Sequence, residues 1–466
     1  MNLKRYFGDK AFFKSTLLVA IPLMAQQLIS NSVNLLDNLM IGQLGDNALA
    51  SVATVNRYFM IAIFGMQGMI AASSVFLAQF YGSDDEEHMK QSFRFALIST
   101  SLIMILFIII ALLFPENIIR FFIADEKVIS LGSQYIKVAA ISFLPTMITM
   151  AISGAMRSVG DSRKPLFAGM ISMVTNVFFN YVLIYGHLGM PALGVVGAGI
   201  GTLIARVVEL GIIIYFLVDG DYKFKTEFRE LFNISPTLSK AITLKALPLS
   251  LNEVLYATGM AVLMRFYGTR GADVISAYAI AVTVSDLFFT MNAGMSVATT
   301  ILVSQPLGAN KLEEAKDNGY KLLGFSTILS IFFGFLLFLT SFVVPHLYDV
   351  SANAMYIAQN FLRIMSFLFW IYVLNTTSYF ILRAGGDMKS TLIMDSGYMW
   401  TVNLVCVGIA THFTDVGILG LYLIGQLTDV VKLFFALKLV HNEGWVVNLA
   451  KQERKQEIMD LLEGEL

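Results

Sequence analysis

Charge is scarce in this chain. Only 14% of its 466 residues are Asp, Glu, Lys or Arg, where a soluble globular domain carries roughly 25%. The few charges nearly cancel, leaving a formal net charge of −1, so no basic surface marks a nucleic-acid partner. Cysteine is almost absent: a single Cys406 excludes an intramolecular disulfide, and no Cys/His spacing for zinc exists. No GxxxxGK[ST] loop occurs, which excludes a P-loop ATP drive within the chain. The five histidines, His88, His187, His346, His412 and His441, sit at helix ends or loops, and none joins a serine and an acid in a hydrolytic arrangement.

What is present in excess is apolar. Hydrophobic residues make up 56% of the chain, with a mean hydropathy of +0.70. A protein of this size cannot hide that much apolar surface in one aqueous core, so lipid is the expected solvent. About 20 mostly apolar residues cross a bilayer as a helix. Twelve such runs are expected near 16–41, 47–80, 92–114, 129–156, 165–186, 192–217, 240–266, 274–304, 318–345, 354–382, 390–411 and 415–440. The basic, then apolar beginning shows no convincing cleavage site and is read as the first permanent helix. Lys and Arg fall 23 to one side and 5 to the other when the loops are alternated. By the positive-inside rule both termini are expected in the cytoplasm, with the chain in the cell (inner or plasma) membrane.

A repeat runs through the chain at a constant offset of 226 residues, from Pro22 to Pro248. The offset also pairs Gly42 with Gly268, Gly45 with Gly271, Gly68 with Gly294, Gln79 with Gln305, Lys90 with Lys316, Arg157 with Arg383, Gly160 with Gly386 and Asp161 with Asp387. Chance does not readily supply Arg-x-x-Gly-Asp twice at one spacing. Each repeat holds six spans, an even number, so both halves enter from the same side. The fold class is therefore an all-α integral membrane protein, twelve transmembrane helices in two parallel six-helix repeats around a central cleft. The expected domains are an N-lobe at 1–217, a cytoplasmic linker at 218–239, a C-lobe at 240–440 and a cytoplasmic tail at 441–466. With both halves in one chain, a monomer is expected.

Asp37 lies inside the first helix, within NSVNLLDNLMIG. A carboxylate in hydrocarbon is costly and marks a functional position by default. If its occupancy differs between two conformations, it can couple an ion gradient to transport. Glu253, Asp286 and Asp395 are further intramembrane acids, suited to a cationic substrate or a cation. Arg206 with Glu209, and Asp429 with Lys432, are spaced i, i+3 and are expected to pair within their own helices. Arg157, Asp161, Arg383 and Asp387 close the fourth and tenth helices and are expected to act as structural clamps or gating contacts. Pro22 and Pro248 lie inside helices, where each frees a carbonyl and permits bending.

The ordered motifs resemble the multidrug and toxic compound extrusion (MATE) family. They are Pro22, Asp37 and Gly42-Gln-Leu-Gly45, then Gln79-Phe-Tyr-Gly82, Gly154-Ala-Met-Arg157-Ser-Val-Gly160-Asp161, Asn176-Val-Phe-Phe-Asn180, and Gly194-Val-Val-Gly197 through Thr202. The second half repeats Gln305-Pro-Leu-Gly308 and Leu382-Arg383-Ala-Gly-Gly386-Asp387. The resemblance covers nearly the whole chain. It implies a secondary active exporter, not an enzyme, antiporting cationic or amphipathic organic compounds against H+ or Na+ by alternating access, with no cofactor and with membrane lipids around it. It also implies that Asn176, Asn180 and Thr202 join Asp37 in a cation-coupling site, the residues that would hold Na+. The chain departs from some relatives in carrying Asn180 in place of a second Asp, and only Asn375 where the tenth helix of others holds an acid. The alternative with the same design is a flippase for a lipid-linked glycan precursor, which needs basic residues in the cleft to meet phosphate.

Overall fold

The computed structural model describes residues 3–348 and 350–464. Asp349 and the extreme ends of the first and last expected segments lie outside the described residues. Among those described, twelve helices are long and apolar enough to cross a membrane. They are α1 (Lys10–Gly42), α2 (Asp46–Gly82), α3 (Glu86–Leu113), α4 (Glu126–Ser158), α5 (Arg163–Tyr185) and α6 (Gly194–Asp219), followed by α7 (Pro236–Gly268), α8 (Asp273–Gly308), α9 (Leu312–Leu347), α10 (Ala352–Ala384), α11 (Met388–Phe413) and α12 (Ile418–His441). A short helix, Pro115–Phe122, precedes α4, and Leu449–Gly464 forms a last, polar helix. No strand occurs among the described residues. In lipid every backbone N–H must pair within its own segment, which is why apolar runs become helices.

The repeat is written in the backbone as well as in the residues. The turns before α2 and α8 use Gly45 (φ 102°) and Gly271 (φ 122°), and those before α5 and α11 use Gly160 (φ 97°) and Gly386 (φ 85°). Only glycine adopts such angles without strain. Asp84 and Asn310, also 226 apart, share φ values of 58° and 59°. Both are residue types that tolerate the left-handed region.

Two compact units emerge from the packing. One comprises Met1–Met24 with Leu251–Lys455, the other Ala25–Ser250 with Gln456–Leu466. The division falls two residues after Pro22 and two after Pro248, inside α1 and α7, whereas the sequence places it in the polar segment 218–239. Composition identifies a solvated linker, but packing groups helices by the faces they bury, so α1 and α7 each contribute to both units. Gly68 and Gly294 carry this arrangement. A Cβ on Gly68 would lie 2.7 Å from the Ser250 backbone nitrogen, and one on Gly294 would lie 2.7 Å from the Ala20 carbonyl oxygen. Each glycine thus seats the leading stretch of a proline-bearing helix against its own unit.

In the unit containing 25–250, α2, α3 and α4 bury Val55, Phe59, Met66, Met104 and Ile136 together, with the Phe59 and Phe143 rings stacked at 4.1 Å. The opposite edge of α3 exposes Leu102, Leu106, Ile109 and Leu113. That spacing is a helical stripe, and lipid is its natural neighbour. Segment 218–239 is folded onto the same unit by Arg94, which is only 1% exposed. Its guanidinium donates to Glu230 at 2.5 Å, Thr226 at 2.6 Å, the Asn233 carbonyl at 2.8 Å and Glu87 at 3.2 Å. Lys223 pairs with Asp84 and, at 3.5 Å, with Glu86. In the unit containing 251–455, α10 and α12 meet through Phe361 and Tyr422, stacked at 4.1 Å. Trp445 is fully buried beside Gly319 and Gly385 and donates to the Val440 carbonyl.

Candidate functional site

Two polar clusters interrupt the apolar interior, one in each unit. The first is built around Asp37 of α1. Asn180 of α5 donates from Nδ2 to Asp37 Oδ1 at 2.7 Å and to Asn176 Oδ1 at 3.3 Å. Asn176 Nδ2 in turn donates to Thr202 Oγ1 of α6 at 3.3 Å. One turn of helix separates the two asparagines, which puts both on the same face of α5. Both are nine-tenths buried or more, and Asn180 Oδ1 has no hydrogen-bond partner among the described residues. Gly201 makes the approach possible: a Cβ there would sit 2.1 Å from Asn180 Oδ1. All four expected residues of this set are therefore brought together. Carboxylate, amide and hydroxyl oxygens are the donors a hard cation prefers.

Arg206 pairs with Glu209 at 2.7 Å, as its spacing predicts, and Ser172 donates to the same carboxylate at 3.1 Å. The charges at the end of α4 divide differently. Arg157 donates to the Ser153 carbonyl at 3.0 Å and to Gln26 at 3.4 Å, while Asp161 accepts from the Tyr222 hydroxyl at 2.6 Å and from the Lys164 backbone at 3.4 Å. Burial, and the adjacent Asp161 carboxylate, push the Tyr222 phenol above its ordinary range. Asp387 plays the matching capping part for α11, accepting from the Ser390 backbone at 3.1 Å.

The second cluster lines a cavity of about 460 Å³ inside the unit containing 251–455, within the size range of small-molecule sites. Glu253, Asp286 and Asp395 all face it, joined by Asp429, Arg383 and Lys432. Seven tyrosines contribute to its wall, among them Tyr256, Tyr372 and Tyr398. Lys432 does not pair with Asp429. It reaches across to Asp395 at 2.6 Å, while Asn252 donates to the other Asp395 oxygen at 3.0 Å. The reason lies in α11, which widens into π-helical stretches at Ile393–Gly397 and Met399–Asn403. Such stretches re-aim side chains and recur at functional sites. Glu253, Asp286 and Asp429 keep carboxylates without an ion pair among the described residues. Arg383, expected as a structural clamp or gating contact, lines this cavity.

Asn403 and the carboxylate of Asp429 were missed as site residues by sequence reasoning, and Asn375 was noted only as a missing acid. The signal was a lone polar residue in each apolar run, such as Asn403 in MWTVNLVCVG. Among the described residues, no group of three or more His, Cys, Asp or Glu is placed to hold a metal ion.

The MatE family model matches the chain twice, over residues 22–182 and 248–407, beginning each time at one of the paired prolines. The chain is similar to a probable multidrug resistance protein NorM of Halalkalibacterium halodurans, 26% identical over 426 residues, covering 91% of this chain and 93% of that one. It is also similar to the probable multidrug resistance protein YoeA of Bacillus subtilis, 23% identical over 88% of this chain and 89% of that protein. In fold it resembles a crystal structure of a variant of the Vibrio cholerae MATE transporter VcmN, with a TM-score of 0.86 at 17% identity, covering 94% and 98% of the two chains.

Proposed function

The chain belongs to the MatE family of membrane transporters, and from that premise we propose that it is a secondary active multidrug exporter that antiports organic cations against H+ or Na+. The observation that carries this reading is the unbroken side-chain chain from Asp37 through Asn180 and Asn176 to Thr202. It joins a membrane-embedded carboxylate to a row of oxygen donors and leaves one buried oxygen unsatisfied. An occupied Asp37 is neutralised and an empty one is not. The two forms differ in the cost of burial, which is sufficient to bias an equilibrium between inward- and outward-open states. Alternating access then exchanges the cation for a substrate.

Substrate chemistry is read from the cavity in the unit containing 251–455. Lys432 is neutralised by Asp395, so Glu253, Asp286 and Asp429 set its sign against Arg383 alone. Acidic groups set among tyrosine faces suit a desolvated organic cation through charge and cation–π attraction. A phosphate-bearing lipid precursor would need free basic groups there, and only Arg383 is available. We further propose a monomer in the cell membrane with both termini cytoplasmic, an orientation that the Lys and Arg distribution supports.

Accumulation of a cationic dye in cells with and without the protein tests the reading. Lower accumulation in expressing cells, reversed by collapsing the ion gradients, is expected. Equal accumulation of every cationic and amphipathic dye tried would remove the exporter reading and leave the lipid-precursor flippase in front.

A further inference from the structure

We propose that His88, held between Asp85 and Glu457, is a regulatory proton-binding site that decides whether the end of the last helix, Leu449–Gly464, stays docked on the unit containing 25–250. The site is separate from the Asp37 cluster, and its test does not depend on transport.

The two ends of that helix are held in different ways. Its first residues belong to the unit containing 251–455, and those from Gln456 onward to the other unit. At the start, Leu449 and Ala450 are buried. Leu449 covers Gly386, where a Cβ would lie 2.9 Å from its Cδ1, and Asn448 donates to the Gly308 carbonyl at 3.2 Å. Apolar burial of this kind does not respond to pH. From Arg454 to Asp460, in contrast, every residue but Glu457 is exposed. Polar contacts seat this stretch: Glu457 meets His88, and Asp460 accepts from the Thr237 hydroxyl of α7 at 2.5 Å.

His88 stands four residues ahead of the apolar run expected from residue 92. Its Nδ1 lies 2.9 Å from Asp85 Oδ1, and its Nε2 lies 3.0 Å from Glu457 Oε2. An ionised carboxylate only accepts, and a neutral imidazole has one N–H to give. Both contacts are therefore hydrogen bonds only when the ring carries two protons. The ring is not free to swing away, because it stacks on the buried Phe80 of α2 with centroids 5.0 Å apart.

Loss of one proton acts on the two carboxylates unequally. Asp85 is fixed as the N-cap of α3, where it also accepts from the His88 backbone at 3.3 Å, so the remaining proton stays on Nδ1. The Nε2 lone pair then faces the Glu457 carboxylate and repels it. Glu457 is the partner that leaves, since the residues around it are exposed. The other acids of this turn, Asp84 and Glu86, are turned to Lys223, and Lys240 of α7 acts on Asp460. Imidazole changes charge between about pH 5 and 8. Docking is complete at low pH and is lost as the pH rises.

The test is electron paramagnetic resonance of the purified full chain reconstituted in lipid, with Cys406→Ser removing the native thiol and a nitroxide attached at Ile458→Cys. The label is expected to be immobilised at about pH 5.5 and mobile at about pH 8.5, on either side of the imidazole range. Loss of a charge-assisted hydrogen bond should shift the ratio of docked to free helix by about tenfold or more. His88→Gln is expected to abolish the transition. Glu457→Gln is expected to keep the label immobilised at both pH values, because an amide accepts from the imidazolium and donates to the neutral ring. The transition should persist in Asp37→Asn. An unchanged spectrum across this range in wild type overturns the proposal, and so does a transition that survives in His88→Gln or in Glu457→Gln. A transition that disappears in Asp37→Asn with His88 intact assigns the proton to Asp37 and overturns it as well.

Discussion

Gly201→Ala is the most informative perturbation of the Asp37 cluster, because it changes neither charge nor polarity. The added Cβ would stand 2.1 Å from Asn180 Oδ1 and 3.0 Å from the Asn180 backbone nitrogen. Asn180 is fully buried, so its side chain has no solvent to retreat into and must rotate. Rotation gives up the 2.7 Å donation to Asp37 and the 3.3 Å donation to Asn176. A hydrogen bond to a charged group contributes about 1.5–3 kcal/mol. About 2 kcal/mol corresponds to a roughly 30-fold change in occupancy of the Asp37 site at a fixed sub-saturating cation concentration. Gradient-driven dye efflux from proteoliposomes reads that change as a slower rate. Asn180→Leu should match it, and the double variant should be no slower than either single one, since both remove the same interaction. Wild-type efflux in Gly201→Ala, or defects that add in the double variant, would refute the reasoning.

Other outcomes follow from the same geometry. Lys432→Met leaves Asp395 with Asn252 as its only partner among the described residues and should lower thermal stability, while Asp395→Asn in that background should restore much of it, because removing both partners of an ion pair costs less than removing one. Arg94→Met removes the three hydrogen bonds to Thr226, Glu230 and Asn233 that hold segment 218–239 and should destabilise that segment by about 2–3 kcal/mol, seen as faster proteolytic cleavage between residues 218 and 239. Glu253→Gln with Asp286→Asn should weaken binding of a cationic dye but leave a neutral analogue unaffected, which paired fluorescence titrations would detect.

Much of this fold was legible in the residues. Apolar run length located all twelve helices, since lipid leaves the backbone no alternative to internal pairing. The offset of 226 located the repeat, and the positive φ angles at Gly45, Gly271, Gly160 and Gly386 show why glycine recurs there. Asp37 stood out because a carboxylate in an apolar run is expensive. The exchange of α1 and α7 between units was not legible. It depends on which faces meet at Gly68 and Gly294, and a glycine match does not say what it admits. Lys432 illustrates the same limit: spacing offered Asp429, but a π-helical widening in another helix supplied Asp395.

The central claim, that Asp37 couples cation movement to export, is tested most directly by dye efflux from proteoliposomes under imposed H+ and Na+ gradients, comparing wild type with Asp37→Asn. The account predicts that one of the two gradients drives efflux through wild type and that the variant abolishes it while still reconstituting in the bilayer. Gradient-driven efflux that persists unchanged in Asp37→Asn would contradict the claim.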